Sequence, residues 1–356
     1  MIYFSQSPPQ PAPPEPRRIL IVKMSSLGDV VHALPALAAL RALYPRATIH
    51  WAVEESLAPL LPGPPALDEI IAFPRNELSL RSLRRSWRRL AAFRAKLKAG
   101  RYDLSIDFQA LAKSALVAFW AGAKRRLAYW ETREASFLVS QGVKGPQAQG
   151  HVMERYLDVV RYLGPVAEGL AFPLPDFSPQ RAALSQTLLS QGCAEPRVVF
   201  YPGASWATKL WPPENYAALG QALARQGLGL VLGGGSAEKG LCQKVMDLAP
   251  ELPWVNLAGA TDLRGLMALA SLSRAVVGSD SGPLHVAVAA GRPTVALYGP
   301  NCSQRTGAYG PKARNLASPA PCSPCFRKVC PKDFVCMAQI AVGRVLTETL
   351  AALAAG

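Results

Sequence analysis

The sequence predicts an α/β chain built from two doubly wound parallel-sheet domains that face each other across a cleft. Short β-rich runs alternate with amphipathic helical stretches, which is the pattern of a parallel sheet covered by helices on both faces. A segment rich in helix breakers interrupts that alternation near the middle, and the same alternation then restarts. At 356 residues the chain is long enough for two separate cores.

In order, residues 1–16 contain six prolines and read as a disordered tail, without the basic start and apolar stretch of a signal peptide. Strands are expected over 18–23 (RILIVK), 48–53 (TIHWAV), 69–73 and 103–108 (DLSIDF), with helices over 30–44 and 83–99 between them. A helix over 152–163 runs into Gly164-Pro165 and then Phe172-Pro173-Leu174-Pro175, and the expected domains are therefore 17–172 and 173–356. The second domain restarts with strands over 197–201 (RVVFY), 229–233 (GLVLG), 254–257, 275–278 (AVVG) and 294–298 (TVALY).

Half the residues are hydrophobic and 18% are charged, too apolar a composition for intrinsic disorder. The longest apolar stretch, 114–123, is about half the roughly 18 residues that a membrane span needs, so a cytoplasmic protein is expected. Its net charge of +15 is concentrated: residues 75–101 hold ten basic side chains and one acid, Glu77. That density points to an anionic partner such as nucleic acid, phospholipid headgroups or a phosphorylated substrate, against the plainer reading of a solvated helix face.

In open α/β sheets ligands bind beyond the carboxyl ends of the strands. The first strand runs through Lys23-Met24-Ser25-Ser26-Leu27-Gly28-Asp29 into a helix. With one glycine and no G-x-G-x-x-G, a nicotinamide dinucleotide site is not expected. Asp29 is left as either a first-turn acid that satisfies the helix end or a carboxylate with a chemical role. After the strand 275–278 comes Ser279-Asp280-Ser281-Gly282-Pro283-Leu284-His285. Pro283 suits the first helical position and Gly282 or Ser281 the cap, leaving free N–H groups for an anion such as a diphosphate. There Asp280 would orient a hydroxyl or amide, and His285 is either a further donor or a core histidine. Lys209 offers a phosphate a point charge, and Glu238, after a run of glycines, offers ribose hydroxyls an acceptor. Together these describe a nucleotide-diphosphate site.

The runs ILIVKMSSLGDVVHALPAL (19–37), WAVEE (51–55), DFQALAKSALVA (107–118), REAS (133–136) and SDSGPLHVAVA (279–289) resemble the bacterial ADP-heptose:lipopolysaccharide heptosyltransferases of glycosyltransferase family 9, which have the two-domain GT-B fold. The first-domain runs are most similar to the branch that adds the first heptose to Kdo-lipid A. The resemblance implies an inverting transferase with ADP-heptose as donor and no required cofactor. By the family's motif Asp29 would be the base, and Ser205, Lys209, Glu238, Asp280, Ser281, Gly282 and His285 would hold the donor. Ser26, Gly28, Arg84, Arg85, Arg88, Lys113 and Arg133 would face the acceptor at the inner face of the cytoplasmic membrane, leaving nucleic acid no part. A later core acceptor, another sugar nucleotide and a GT-B epimerase are the alternatives.

Cys322, Cys325, Cys330 and Cys336 have the spacing C-x2-C-x4-C-x5-C. It permits a structural tetrahedral metal site, disulfides or reduced thiols, at a place distant in sequence from the loops above.

Overall fold

Ile19, Leu20, Ile21 and Val22 are all fully buried, as a central strand of a parallel sheet covered on both faces requires. In the computed structural model they belong to β2 (Arg18–Val22). The structure describes residues 2–3, 15–75, 83–193, 195–332 and 335–355, and the chain divides into two units, Met1–Pro175 and Asp176–Gly356. The division falls three residues beyond the boundary expected from the breakers.

In the first unit β1 is Ile2–Tyr3, and β2 is followed by α1 (Leu27–His32), α2 (Leu34–Leu43), β3 (Thr48–Glu54), β4 (Glu69–Phe73), α3 (Leu83–Ala99) and β5 (Leu104–Asp107). Then come α4 (Ala112–Ala121), β6 (Arg125–Tyr129), β7 (Gln141–Lys144) and α5 (Val152–Arg161). Among the described residues the sheet order is β1-β7-β6-β5-β2-β3-β4, with every pairing parallel. One face is covered by α3 and α4, whose Phe93, Leu97, Val117 and Ala121 pack with Leu20, Val22 and Ala52.

The second unit contains α6 (Ser178–Ser190), β8 (Arg197–Tyr201), α7 (Pro213–Ala224), β9 (Gly229–Leu232), α8 (Lys239–Asp247), β10 (Trp254–Asn256) and α9 (Leu263–Ser271). It continues with β11 (Ala275–Ser279), α10 (Gly282–Ala289), β12 (Thr294–Tyr298), α11 (Ser303–Thr306), β13 (Ala313–Ala317), α12 (Val335–Ala338) and α13 (Val342–Ala355). Its sheet order among the described residues is β10-β9-β8-β11-β12-β13, again parallel. Leu219, Leu223, Val245 and Val345 pack with Phe200, Leu232 and Val295 in its core.

Each sheet reverses its strand order once. In the first unit the chain leaves β2 toward β3 and β4, then returns to place β5 on the other side of β2. In the second it leaves β8 toward β9 and β10, then returns to place β11 beside β8. Loops at the carboxyl ends of two such strands diverge and leave a crevice. The β2/β5 and β8/β11 positions are therefore where each fold presents ligand-binding residues.

Three expectations need correction. The helix expected over 30–44 is two helices, broken at Ala33, because Pro35 lacks an N–H and takes an early position of α2. Ile2 and Tyr3, inside the expected tail, pair with Val143 and Lys144. Pro283 occupies the second helical position of α10, after Gly282 and with Ser281 as the cap.

Candidate active site

At the first crevice, the loop after β2 meets the loop after β5. Lys23 is buried; its ammonium lies 3.4 Å from the Phe108 carbonyl oxygen, 3.8 Å from Asp29 Oδ1 and 5.5 Å from the centre of the Tyr156 ring. The Met24 N–H donates to Gln109 Oε1 at 2.9 Å. Ser26 caps α1 in an extended conformation, and its N–H and hydroxyl both donate to Asp29 Oδ2, at 3.1 and 2.6 Å. Asp29 thus satisfies the helix start, as the plainer sequence reading expects, yet its side chain remains 40% exposed. The two sequence readings of this residue are compatible, because the bonds to Ser26 fix the carboxylate's orientation without covering it.

A second carboxylate gathers basic side chains beside this loop. Glu54, buried at the end of β3, accepts from Arg75 Nη1 at 3.0 and 2.8 Å and pairs with Lys113 Nζ at 3.4 Å. Lys113 Nζ also donates to Ser25 Oγ at 2.9 Å, which ties the first turn of α4 to the Asp29 loop. The exposed Arg133 follows a loop anchored to the same place: its N–H donates to the Ala110 carbonyl at 2.9 Å, and Ser136 Oγ to the same oxygen at 3.0 Å. Asp107 is fully buried and accepts from the Gln109 and Ala110 N–H groups and the Ser114 hydroxyl. Burial pushes its carboxyl up to about 6. Of the expected acceptor residues, Ser26, Gly28 and Lys113 gather around one loop. Arg88 lies exposed on α3, while the side chains of Arg84 and Arg85 lie outside the described residues.

At the second crevice, Asp280 is the hub. Its Oδ2 accepts from Lys209 Nζ at 2.7 Å and Asn301 Nδ2 at 2.6 Å, and His285 Nε2 is 3.9 Å from Oδ1. Lys209 and Asp280 are both buried. The sequence reading left Lys209 as a point charge for phosphate; instead one of its three N–H donors is committed to Asp280, which anchors the ammonium and leaves the others for a ligand. Lys209 Nζ also lies 4.7 Å from the Trp206 ring centre. Ser281 Oγ is buried without a hydrogen-bond partner, as is Asn301 Oδ1. Buried polar groups without partners are uncommon. Ser281 caps α10, where Pro283 has no N–H and the Leu284 N–H donates to the Ser281 carbonyl at 3.2 Å, so Gly282 carries the first uncommitted N–H of the helix.

Glu238 accepts from the Gly235 N–H at 2.7 Å. A Cβ at Gly203 would stand 2.2 Å from Glu238 Cγ, so the absence of a side chain there lets the carboxylate lie against the loop after β8. Ser205 is exposed in that loop. A separate cavity of about 560 Å³, lined by Arg17, Arg18, Arg101 and Asp103, opens at the amino-terminal end of β2, the opposite end from the crevice.

The four clustered cysteines are free thiols. Cys322 is exposed while Cys336 is buried, and no group of three or more His, Cys, Asp or Glu that could hold a metal occurs among the described residues. Their loop is, however, close to the donor residues in space: Thr208 Oγ1 donates to the Arg327 carbonyl at 2.9 Å, and Lys328 Nζ lies 5.5 Å from the Trp206 ring centre. The expected separation from the functional loops holds along the chain and fails in the fold.

Lys23, Glu54, Asp107 and Asn301 were not singled out from sequence. The first three lie at or just past the carboxyl ends of strands, which is the signal that identifies them.

Residues 90–335 match the family described as glycosyltransferase family 9 (heptosyltransferase). The chain belongs to glycosyltransferase family 9. This family 9 enzyme is 34% identical over 325 residues to lipopolysaccharide heptosyltransferase 1 of Pseudomonas aeruginosa, covering 88% of the chain and 87% of that protein. It is 30% identical over 307 residues to lipopolysaccharide heptosyltransferase 2 of Escherichia coli, covering 83% and 87% respectively. The structure of the E. coli heptosyltransferase WaaC with ADP-2-deoxy-2-fluoro heptose superposes with a TM-score of 0.69 at 25% identity, covering 93% of this chain and 98% of that one. The two parallel-sheet units of this glycosyltransferase are those of the GT-B fold, as the sequence predicts.

Proposed function

We propose that this enzyme transfers heptose from ADP-heptose to an inner-core acceptor of lipopolysaccharide, Kdo-lipid A, on the cytoplasmic side of the membrane. The observation that carries the reading is the β8/β11 crevice, where a buried, unpartnered Ser281 hydroxyl and the Gly282 N–H at the start of α10 lie next in sequence to Asp280 and the ammonium it anchors. That arrangement suits a diphosphate: the Gly282 N–H and the helix dipole hold the anion, and Lys209 and His285 offset the charge that grows on the leaving ADP. Glu238, with Oε1 not committed to Gly235, is placed to accept from a ribose hydroxyl.

Asp29 is the base. Its Oδ2 is held by Ser26, so the carboxylate keeps one orientation while an acceptor hydroxyl approaches. The hydroxyl oxygen attacks the anomeric carbon as the bond to ADP breaks, and the proton passes to Asp29, giving inversion. A carboxylate is a weak base for an alcohol, so the proton moves late, once attack has made the hydroxyl acidic. Lys113, Arg133 and the basic side chains of α3, including Arg84, Arg85 and Arg88, meet the acceptor's carboxylates and phosphates and the anionic surface it sits in. The first-heptose assignment is supported by the 34% identity to a heptosyltransferase 1.

The test is to incubate the purified protein with ADP-heptose, with and without Kdo2-lipid A, following ADP release and lipid mass. Acceptor-dependent release with one heptose added is expected. Release without acceptor would point to hydrolysis or epimerisation, and no release in either case to a later core acceptor or another sugar nucleotide.

A further inference from the structure

Four large apolar side chains of the first unit stand in solvent. Leu116 and Phe119 are 45% and 59% exposed, and Phe137 and Leu138 are 63% and 77% exposed. Leu116 and Phe119 lie three residues apart on one face of α4, in line with Lys113. Phe137 and Leu138 belong to the short turn Ser136–Leu138, which packs against α4, so the two exposed pairs (the ridge) lie on adjoining elements. An open recess of about 430 Å³ beside the turn is lined by Thr132, Phe137, Leu138, Val139 and Gln141, and among the described residues these four side chains of the ridge remain exposed. Single exposed apolar residues need no explanation, whereas a contiguous group of them marks an interaction surface.

Its surroundings identify the partner. Helix α3 packs against α4, with the Arg94 guanidinium 5.9 Å from the Trp120 ring centre. Over Leu83–Ala99 it carries seven basic residues and no acid. An apolar ridge beside a cationic helix is the composition of a surface that binds anionic lipid, with cations at the headgroups and apolar side chains below them. A second copy of the chain fits less well, because a two-fold contact across this face would bring two such helices together.

We propose that the ridge formed by Leu116, Phe119, Phe137 and Leu138 inserts into an anionic bilayer while α3 lies at its headgroups. This deepens the lipid-acceptor reading and rests on it for the identity of the membrane. It also gives α4 a second purpose. The same helix face that carries the ridge begins at Lys113, bonded to Ser25 in the Asp29 loop, so insertion delivers that loop to the surface in which a lipid acceptor lies.

The experiment is flotation of the full chain with vesicles containing about one-third phosphatidylglycerol, with no acceptor or sugar nucleotide present. The wild type is expected to bind them and to bind neutral phosphatidylcholine vesicles weakly. The triple variant Phe119→Ser, Phe137→Ser, Leu138→Ser should lose about tenfold or more in vesicle affinity at low salt, given that each buried methylene contributes roughly twofold to fourfold. Thermal melting checks that it folds, and Phe119→Ser alone, with a smaller loss, serves if it does not. Unchanged vesicle binding by the variants would overturn the proposal, as would failure of the wild type to bind. So would a wild-type dimer that the variant converts to monomer, since a second copy would then cover the ridge. Vesicle binding is scored without any heptose transfer: ridge-dependent binding by a chain that transfers no heptose sinks the functional reading alone, and transfer with ridge-independent binding sinks this one alone.

Discussion

Single carboxylates in this chain do different work according to what surrounds them. Asp29 is 40% exposed and oriented by Ser26, with its other oxygen 3.8 Å from the Lys23 ammonium; it is the base in the proposed reaction. Asp29→Ala should lower turnover by about 10²–10⁴-fold while leaving ADP-heptose affinity, measured by calorimetry, close to wild type. Asp107 is the opposite case. Burial raises it to about 6 against an ordinary 3.8, with the Ala110 N–H and the Ser114 hydroxyl opposing the shift. The native state therefore holds this proton more tightly than the unfolded chain, and folding stability falls as pH rises between about 4 and 6, then stays lower. The full effect is on the order of 3 kcal/mol. Asp107→Asn, which keeps an oxygen for the two N–H donors, should flatten that segment of a urea-unfolding profile taken across pH. Neither reading follows from residue type alone: Asp29 could be singled out because it sits in the first turn of a helix after a strand, whereas Asp107 depends on burial that no local pattern reports.

Elements with strong periodicity were legible before the structure was known. The expected basic helix over 83–99 is α3, and the strands expected at 69–73, 197–201 and 294–298 match β4, β8 and β12. What escaped was weakly patterned. β6 begins with two arginines, β7 contains Gln141 and Gly142, and β13 reads ARNLA; each is a strand because a neighbouring strand offers it a ladder, not because its own residues favour one. The long density of positive charge on α3 gives that element its own prediction. Neutralising Arg84, Arg85, Arg88 and Arg89 to Gln should raise the KM for a lipid acceptor severalfold at low salt, and the difference from wild type should shrink as salt screens the wild-type attraction. Steady-state kinetics at two ionic strengths check both parts.

At the scale of the whole molecule, each unit carries its own sheet and core, and all the proposed donor residues lie in one of them. A fragment spanning 176–356 should therefore still bind ADP, within about tenfold of the intact protein, while catalysing no transfer; titration calorimetry and the ADP-release assay read the two properties. The loops proposed to bear chemistry could be picked out in the sequence because parallel sheets place ligand-binding loops after strands. Their partnerships could not, since β2 meets β5 and β8 meets β11 only through strand order. Lys209 and Asp280, 71 residues apart, are the plainest instance. That separation has a meaning for the chain as it is made. At roughly 5–20 residues per second, the ribosome adds Asp280 several seconds after Lys209, and Asn301 later still. Until then β8 has no β11 beside it and the lysine has no counter-ion to be buried with. The proposed donor pocket is thus among the last features a nascent chain can complete, and on that proposal nucleotide present during synthesis finds no complete site until most of the protein has emerged.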